Sequence, residues 1–318
     1  MSKLSQHAAL DVVTVGEAMA MFVASETGPL EEVTQFTRQV AGAELNVAIG
    51  LARLGLNVGW ASRVGDDVFG RFVLKQLEKE RIDAGQVTVD HRFPTGFQLK
   101  SKESGGQDPR VEYFRKGSAA SHLSVADFNP DYFGAARHLH LSGVCAALSA
   151  TSLELSHFAA SEMRKAGKSL SFDPNLRPVL WRNEQTMRKE INALAFAADW
   201  VLPGLSEGQL LTGQQTPEGI ADFYLEKGVK AVIIKTGPDG AWFKNAQGKQ
   251  AQVAACKVDK VVDTVGAGDG FAVGLISALL EGLPLEQAVK RGNKIGSLAV
   301  QAVGDSEGLP TREQLNNA

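Results

Sequence analysis

The stretch Asp263-Thr264-Val265-Gly266-Ala267-Gly268-Asp269-Gly270-Phe271 sets two glycines just before a carboxylate, and the carboxylate just before an apolar run. The run reads as the start of a buried helix. A helix start offers backbone N–H groups without intrahelical acceptors and a partial positive charge. Glycine lets that backbone approach an anion closely. Asp269 therefore stands beside a predicted anion cradle made by the N–H groups of Gly266, Ala267 and Gly268. A cradle and a general base, adjacent in the chain, suit phosphoryl transfer to a hydroxyl.

Spacing supports the helix. Phe271, Leu275 and Leu279 fall on one ridge, and Ala272, Ile276 and Leu280 on the next. Two such series make a wide apolar face, as for a helix packed on a sheet. Gly282 follows as a stop and Pro284 opens another helix. Two other phosphate motifs fail. A dinucleotide fingerprint needs glycine where Phe271 stands, and a P-loop ending at Gly167-Lys168-Ser169 would have to begin with glycine at Glu162.

The elements that must position this site alternate. Apolar runs at Asp11–Gly16, Val58–Val64, His138–Ser142, Leu170–Asp173, Trp200–Pro203 and Ala231–Lys235 are separated by amphipathic helical segments. Leu45, Ala48, Ile49 and Ala52 make one such face, ending at Gly55. Another runs from Leu285 to Val300. The pattern predicts an α/β fold, a mostly parallel sheet covered on both faces, with ligands beyond the carboxyl ends of its strands. One region differs. Thr95–Glu103 and Arg110–Lys116 are extended and joined by Ser104-Gly105-Gly106-Gln107-Asp108-Pro109, a hairpin signal. Together with residues 18–37 they are expected to form a small β element that covers the site as a lid.

The bulk numbers narrow the partners. A length of 318 residues holds one large α/β domain or two ordinary ones, and 44 % hydrophobic with 22 % charged residues is a globular balance. A net charge of −3 gives no reason to expect nucleic acid or an acidic membrane. No apolar run approaches a membrane span, and Met1 to Leu10 lacks the regions of a secretory signal, so a cytoplasmic location is expected. Cys145 and Cys256 sit in apolar, strand-like contexts and are expected to be buried free thiols. His138 and His140 alternate on a strand, and a packed or hydrogen-bonded pair is favoured over a metal site because no third ligand is spaced nearby.

These residues resemble the ribokinase-like (pfkB) family of carbohydrate kinases. Asp263–Gly274 resembles its C-terminal signature, and Gly42-Ala43-Glu44-Leu45-Asn46-Val47-Ala48 its N-terminal one. Within the family, Tyr113–Ser121 and Asp173-Pro174-Asn175-Leu176-Arg177 are most similar to kinases of 2-keto sugar acids. The resemblance implies one ribokinase-like domain over residues 1–318, a three-layer α/β/α sandwich with a lid at about 17–38 and 88–117. It also implies Mg-ATP as donor and a homodimer formed through the lids. It places Gly42, Asn46 and Gln98 at the sugar, and Asn175, Lys235, Thr236, Gly237, Gly240, Gly268 and Asn293 at the nucleotide. Glu207 would organise Mg²⁺-bound water, and Asp263 could help hold a monovalent cation, as in some relatives.

Residue chemistry narrows the substrate. On a strand Tyr113 and Arg115 project to one face, and Arg177 lies just past a strand end. Two guanidinium groups aimed at one cleft suit a carboxylate. Ser206, a further candidate at the nucleotide, reads first as the N-cap of the helix holding Glu207. The expected reaction is ATP-dependent phosphorylation of a hydroxyl of a 2-keto sugar acid, 2-keto-3-deoxygluconate first. Alternatives are 2-ketogluconate, a neutral sugar such as fructose or ribose, and a non-catalytic sugar sensor on the same fold.

Overall fold

The computed structural model describes residues 9–103 and 108–317. The expectation for the N-terminal decapeptide falls largely outside them, as does the Ser104–Gln107 part of the hairpin turn. In chain order the strands are β1 (Leu10–Val15), β2 (Met19–Ala24), β3 (Phe36–Ala41), β4 (Val58–Gly65), β5 (Asp83–Asp90), β6 (Phe97–Lys100) and β7 (Val111–Phe114). They continue with β8 (Ala136–Ser142), β9 (Ser169–Asp173), β10 (Trp200–Val201), β11 (Ala231–Lys235), β12 (Ala241–Asn245) and β13 (Gln250–Val253). Helices α1 (Ala43–Arg53), α2 (Val68–Lys79), α3 (Pro130–Gly134), α4 (Gly143–Ala147), α5 (Ala150–Lys165) and α6 (Glu184–Ala197) lie in the first two thirds. The rest are α7 (Leu205–Thr212), α8 (Pro217–Leu225), α9 (Ala267–Leu280), α10 (Leu285–Ala299) and α11 (Arg312–Asn317).

Nine strands form one sheet in the order β13-β12-β11-β10-β9-β8-β1-β4-β5. All neighbours from β11 to β5 are parallel, and the β11-β12-β13 edge is antiparallel. Strand alternation divides the core in two. Val12 and Ile233 pack with α1, α2, α9, α10 and α11. Their neighbours Val13, Val232 and Ile234 pack with α3 to α8 on the other face. A parallel sheet needs this double cover because both of its faces are apolar. The expected strand Trp200–Pro203 is reduced to two residues, and β5, β12 and β13 add to the expected six.

The second sheet has the order β3-β2-β6-β7 and is the lid. Strands β6 and β7 are the expected antiparallel pair, shorter than the extended segments around them, while β2 runs parallel to β6. Phe22 and Phe97 on the lid meet Phe69 of α2, with ring centroids 5.6 and 5.7 Å from it. That aromatic contact seats the lid on the body. Two boundaries differ from expectation: residues 88–90 end β5 of the main sheet, and β3 continues to Ala41.

Helices α1, α9 and α10 approach one another through glycines. A Cβ at Gly50 would come within 2.5 Å of Val273, and one at Gly274 within 2.5 Å of the Arg291 carbonyl. A Cβ at Gly292 would come within 2.9 Å of the Phe271 ring. The cysteine expectation is half right: both thiols are free, but Cys145 is buried in α4 and Cys256 is exposed. His138 and His140 form the expected hydrogen-bonded pair, through the hydroxyls of Ser169 and Ser171. Among the described residues no metal-binding cluster occurs, and no helix is long and apolar enough to cross a membrane.

Candidate active site

The carboxyl ends of the parallel strands and the underside of the lid enclose a cavity of about 510 Å³. Glu17 follows β1, Asp173 ends β9, Lys235 ends β11, and Glu207 sits in the first turn of α7 after β10; all four line it. Gln98 and Lys100 reach it from β6, Tyr113 from β7, and Arg115 from just past β7. This is where an open α/β sheet presents its loops.

Asp269 stands in the first turn of α9, after Gly266 as N-cap with φ 84°. That left-handed backbone favours glycine, and a Cβ there would lie 2.1 Å from the Asp305 carbonyl oxygen. The N–H groups of the first turn have no intrahelical acceptor and open beside Asp269. Gly268 leaves its side open to Lys235, whose Nζ would be 3.5 Å from an added Cβ. Asn46 Nδ2 donates to Asp269 Oδ2 at 2.7 Å, and Asn175 Nδ2 lies 3.4 Å from Oδ1. Burial pushes the Asp269 carboxyl up to about 8, against the lowering effect of Asn46; nearby Asp173 and Asp305 raise it further and Lys235 opposes them. A carboxyl with that proton affinity is a suitable base near neutral pH.

Most cations around the cavity are already matched. Lys235 Nζ lies 2.6 Å from Asp173 Oδ2. Arg115 Nε donates to Glu17 Oε2 at 2.6 Å, and Glu17 also takes the Ser118 hydroxyl. Lys100 is held by Asp263 and Asp305. Arg177 instead donates to the Leu176 carbonyl at 2.9 Å and has no carboxylate partner among the described residues. The expected pair of arginines thus resolves into one matched by Glu17 and one that, among the described residues, donates only to backbone carbonyls. Sequence reasoning missed Glu17, Lys100 and Asp305, because each finds its partner only through tertiary folding. A signal for Glu17 existed: it stands one residue past Gly16 at the end of a predicted strand.

The N-terminal signature is equally explained by contacts. Gly42, N-cap of α1, lies where a Cβ would be 2.3 Å from the Glu17 carbonyl, so α1 starts tight against the β1 end. Glu44 is buried, and its Oε1 accepts from Ser142 Oγ at 2.5 Å and from Cys145 N at 3.0 Å. Asn46 then projects to Asp269. Gly42, Asn46, Gln98, Tyr113, Arg115, Asn175, Arg177, Glu207, Lys235, Gly266, Gly268 and Asp269 all line the cavity.

Six predicted residues do not. Ala267, between the two lining glycines, and Ser206, Thr236, Gly237, Gly240 and Asn293 lie outside its lining. Ser206 is also not the N-cap of α7. Gly204 is, and the Glu207 carboxylate caps the helix by accepting from Gly204 N at 2.7 Å; its other oxygen accepts from Leu176 N, in the loop after β9, at 2.7 Å. Asn293 Nδ2 donates to the carbonyls of Val253 and Ala254, tying α10 to the end of β13. Asp263, considered for a monovalent cation, contacts the Lys100 ammonium at 2.6 Å.

An α/β/α sandwich with a β lid, a buried carboxyl at a nitrogen-lined helix start and a cavity of small-molecule size defines a sugar-kinase type of phosphotransferase. The chain belongs to the pfkB family of carbohydrate kinases, whose model matches residues 9–312. It is 55 % identical to a 2-dehydro-3-deoxygluconokinase of Bacillus subtilis (strain 168), over 96 % of this chain and 94 % of that protein. The crystal structure of a PfkB protein from Polaromonas sp. JS666 superposes with a TM-score of 0.90 at 54 % identity, covering 98 % of this chain and 100 % of that one. A putative ribokinase II from E. coli, in complex with ATP and Mg²⁺, superposes with a TM-score of 0.89 at 28 % identity, over 97 % and 98 % of the two chains.

Proposed function

We propose that the chain transfers the γ-phosphoryl group of ATP to the 6-hydroxyl of 2-keto-3-deoxygluconate. The observation that carries this reading is one cavity that joins a general base at a helix start to an unmatched guanidinium. The base and its cradle suit a hydroxyl acceptor and a phosphoryl donor. Arg177 suits an acceptor with a carboxylate. The similarity to the Bacillus subtilis 2-dehydro-3-deoxygluconokinase, the same acid under another name, supports the identity of that acceptor.

In this reading Asp269 takes the proton of the hydroxyl as its oxygen attacks phosphorus. The N–H groups of Gly266, Ala267 and Gly268 stabilise charge on the transferring group. Arg177 grips the acid end, Gln98, Tyr113, Asn46 and Gly42 surround the sugar, and Arg115, already paired to Glu17, forms the lid-side wall. Lys235 and Asn175 face the phosphates. Ser206, Thr236, Gly237, Gly240 and Asn293 are assigned to the far end of the nucleotide, and their place outside the sugar cavity suits that. The donor set fits a mostly water-held Mg²⁺, with Glu207 and Asp173 as the carboxylates to hold it through water; when bound it neutralises phosphate charge.

ADP release measured over 2-keto-3-deoxygluconate, 2-ketogluconate, fructose and ribose tests it. The keto-deoxy acid should exceed the neutral sugars in kcat/KM by at least about 10²-fold, since a site built for a charged group rejects analogues lacking it. Equal use of fructose would remove the acid clamp, and no ADP release with any sugar would favour the sensor. A homodimer through the lids belongs to the same reading. Tyr113 and Phe114 are 46 % and 47 % exposed on β7 and give the lid an apolar rim. Sedimentation equilibrium should return twice the chain mass, and a monomer at micromolar concentration would remove that assembly.

A further inference from the structure

Lys100 places a full charge deep in the protein. It ends β6 of the lid and is 1 % exposed. Its Nζ lies 2.6 Å from Asp263 Oδ2 and 2.8 Å from Asp305 Oδ1, and both carboxylates are themselves buried. The three residues come from three distant stretches: the lid, the turn entering α9 and the segment after α10.

Both carboxylates brace the turn that leads into α9: Asp305 lines the cavity and Asp263 lies behind it. Asp263 Oδ1 accepts from Val265 N at 3.1 Å, and Oδ2 from Gly304 N at 3.2 Å. The Asp305 carbonyl is the atom packed against Gly266. Thus one ammonium fixes the residues on either side of the turn. On the same face of β6, two residues earlier, Gln98 faces the sugar cavity. A second contact joins lid and cradle: Thr264 Oγ1 donates to Asp108 Oδ1 at 2.5 Å.

A buried ionic triad is weak as a stability device, because apolar residues of similar volume often serve the fold as well or better. Its position, rather than its energy, is the informative property. We propose that Lys100 is a positioning residue for phosphoryl transfer: its ammonium aligns Asp263 and Asp305 so that the N–H groups of residues 266–268 converge on the transferring group. It also ties that alignment to the lid strand carrying Gln98. The ammonium offsets Asp305, whose charge is one of those felt by Asp269. Without it, two buried carboxylates would face each other and the incoming phosphates with nothing between them. The inference rests on the kinase reading above.

The experiment begins with the unaltered protein. Absence of ADP release there would overturn the kinase reading, and this proposal with it, before any variant is made. With activity in hand, Lys100→Met, checked for folding by circular dichroism, should lose about 10²-fold in kcat, as for the loss of an oxyanion-hole donor, while KM for ATP moves by less than about threefold. Lys100→Ala leaves a hole lined by two carboxylates, so ammonium or methylammonium chloride should restore its kcat by at least about tenfold. Tetramethylammonium chloride at equal ionic strength should not, and the wild type should ignore all three salts. A folded Lys100→Met with kcat within about threefold of wild type would overturn the proposal. So would a Lys100→Ala that ammonium and methylammonium both leave inactive, since that is the behaviour of a plain strut. If Lys100→Met does not fold, Asp305→Asn, which keeps the pair with Asp263, takes its place; turnover within about threefold of wild type would again overturn it.

Discussion

Asp269→Asn should lose at least about 10²-fold in turnover while keeping its fold and its affinity for ATP. The amide cannot take the hydroxyl proton, yet it keeps the size of the carboxyl and can still accept from Asn46. Near-normal turnover would remove the base assignment. The same substitution should be visible in stability. Burial raises the folded-state affinity of Asp269 for its proton, to about 8 from an ordinary 3.8. A group raised in this way contributes its full stability below the unfolded value and loses it as pH climbs through the folded one. Ionised Asp269 is therefore a burden that grows from about pH 4 to pH 8. The asparagine variant should match wild type near pH 4 and melt a few degrees higher at pH 8. In the wild type the acidic limb of kcat/KM should fall near pH 8, and in the variant it should be absent. A limb near pH 4 would show that Asp269 is not the group being read.

Arg177→Ala should lower kcat/KM for the keto-deoxy acid by roughly 10²- to 10³-fold, the scale for removing one partner of a hydrogen-bonded charge pair. For the matching neutral sugar the change should stay within about threefold, because no charge pair is lost. Equal losses on both would mean that Arg177 shapes the loop and does not clamp the acid. Arg115→Ala is expected to behave differently. It leaves Glu17, buried at 2 % exposure, with the Ser118 hydroxyl but no cation. Its defect should therefore appear with every acceptor.

The elements legible in the sequence are those whose side chains repeat with a clear period. Helix α9 shows its two ridges from Phe271 to Leu280, and the interior strands β1, β8, β9 and β11 read as apolar runs because both faces are covered. Strand β5 gives no such run: Asp83, Gly85, Thr88 and Val89 stand among its exposed or half-exposed positions at the sheet edge. Strands β12 and β13 form an edge hairpin with mixed burial and were equally hidden. The site followed the same logic. Asp269, its cradle and Arg177 are local signals at a strand end or a helix start. The matching of charges is not local: Arg115 meets Glu17 across 98 positions and Lys100 meets Asp305 across 205. Spacing along the chain holds no information on such pairs, so it could not separate the matched arginine from the free one.

Exchanging helical glycine for alanine is a standard first step in hardening an enzyme against heat. In this protein the step would backfire at Gly50, Gly274 and Gly292, where the missing methyl is what lets α1, α9 and α10 close on one another. Asn46 rides on α1 and Asp269 on α9, so a wedge between these helices moves acceptor and donor of the same hydrogen bond. Displacement of about 1 Å at a reacting centre can cost about 10²-fold in rate. Thermotolerance programmes for this chain should leave those three positions alone and work on the exposed helix faces, where backbone propensity and catalytic geometry are uncoupled.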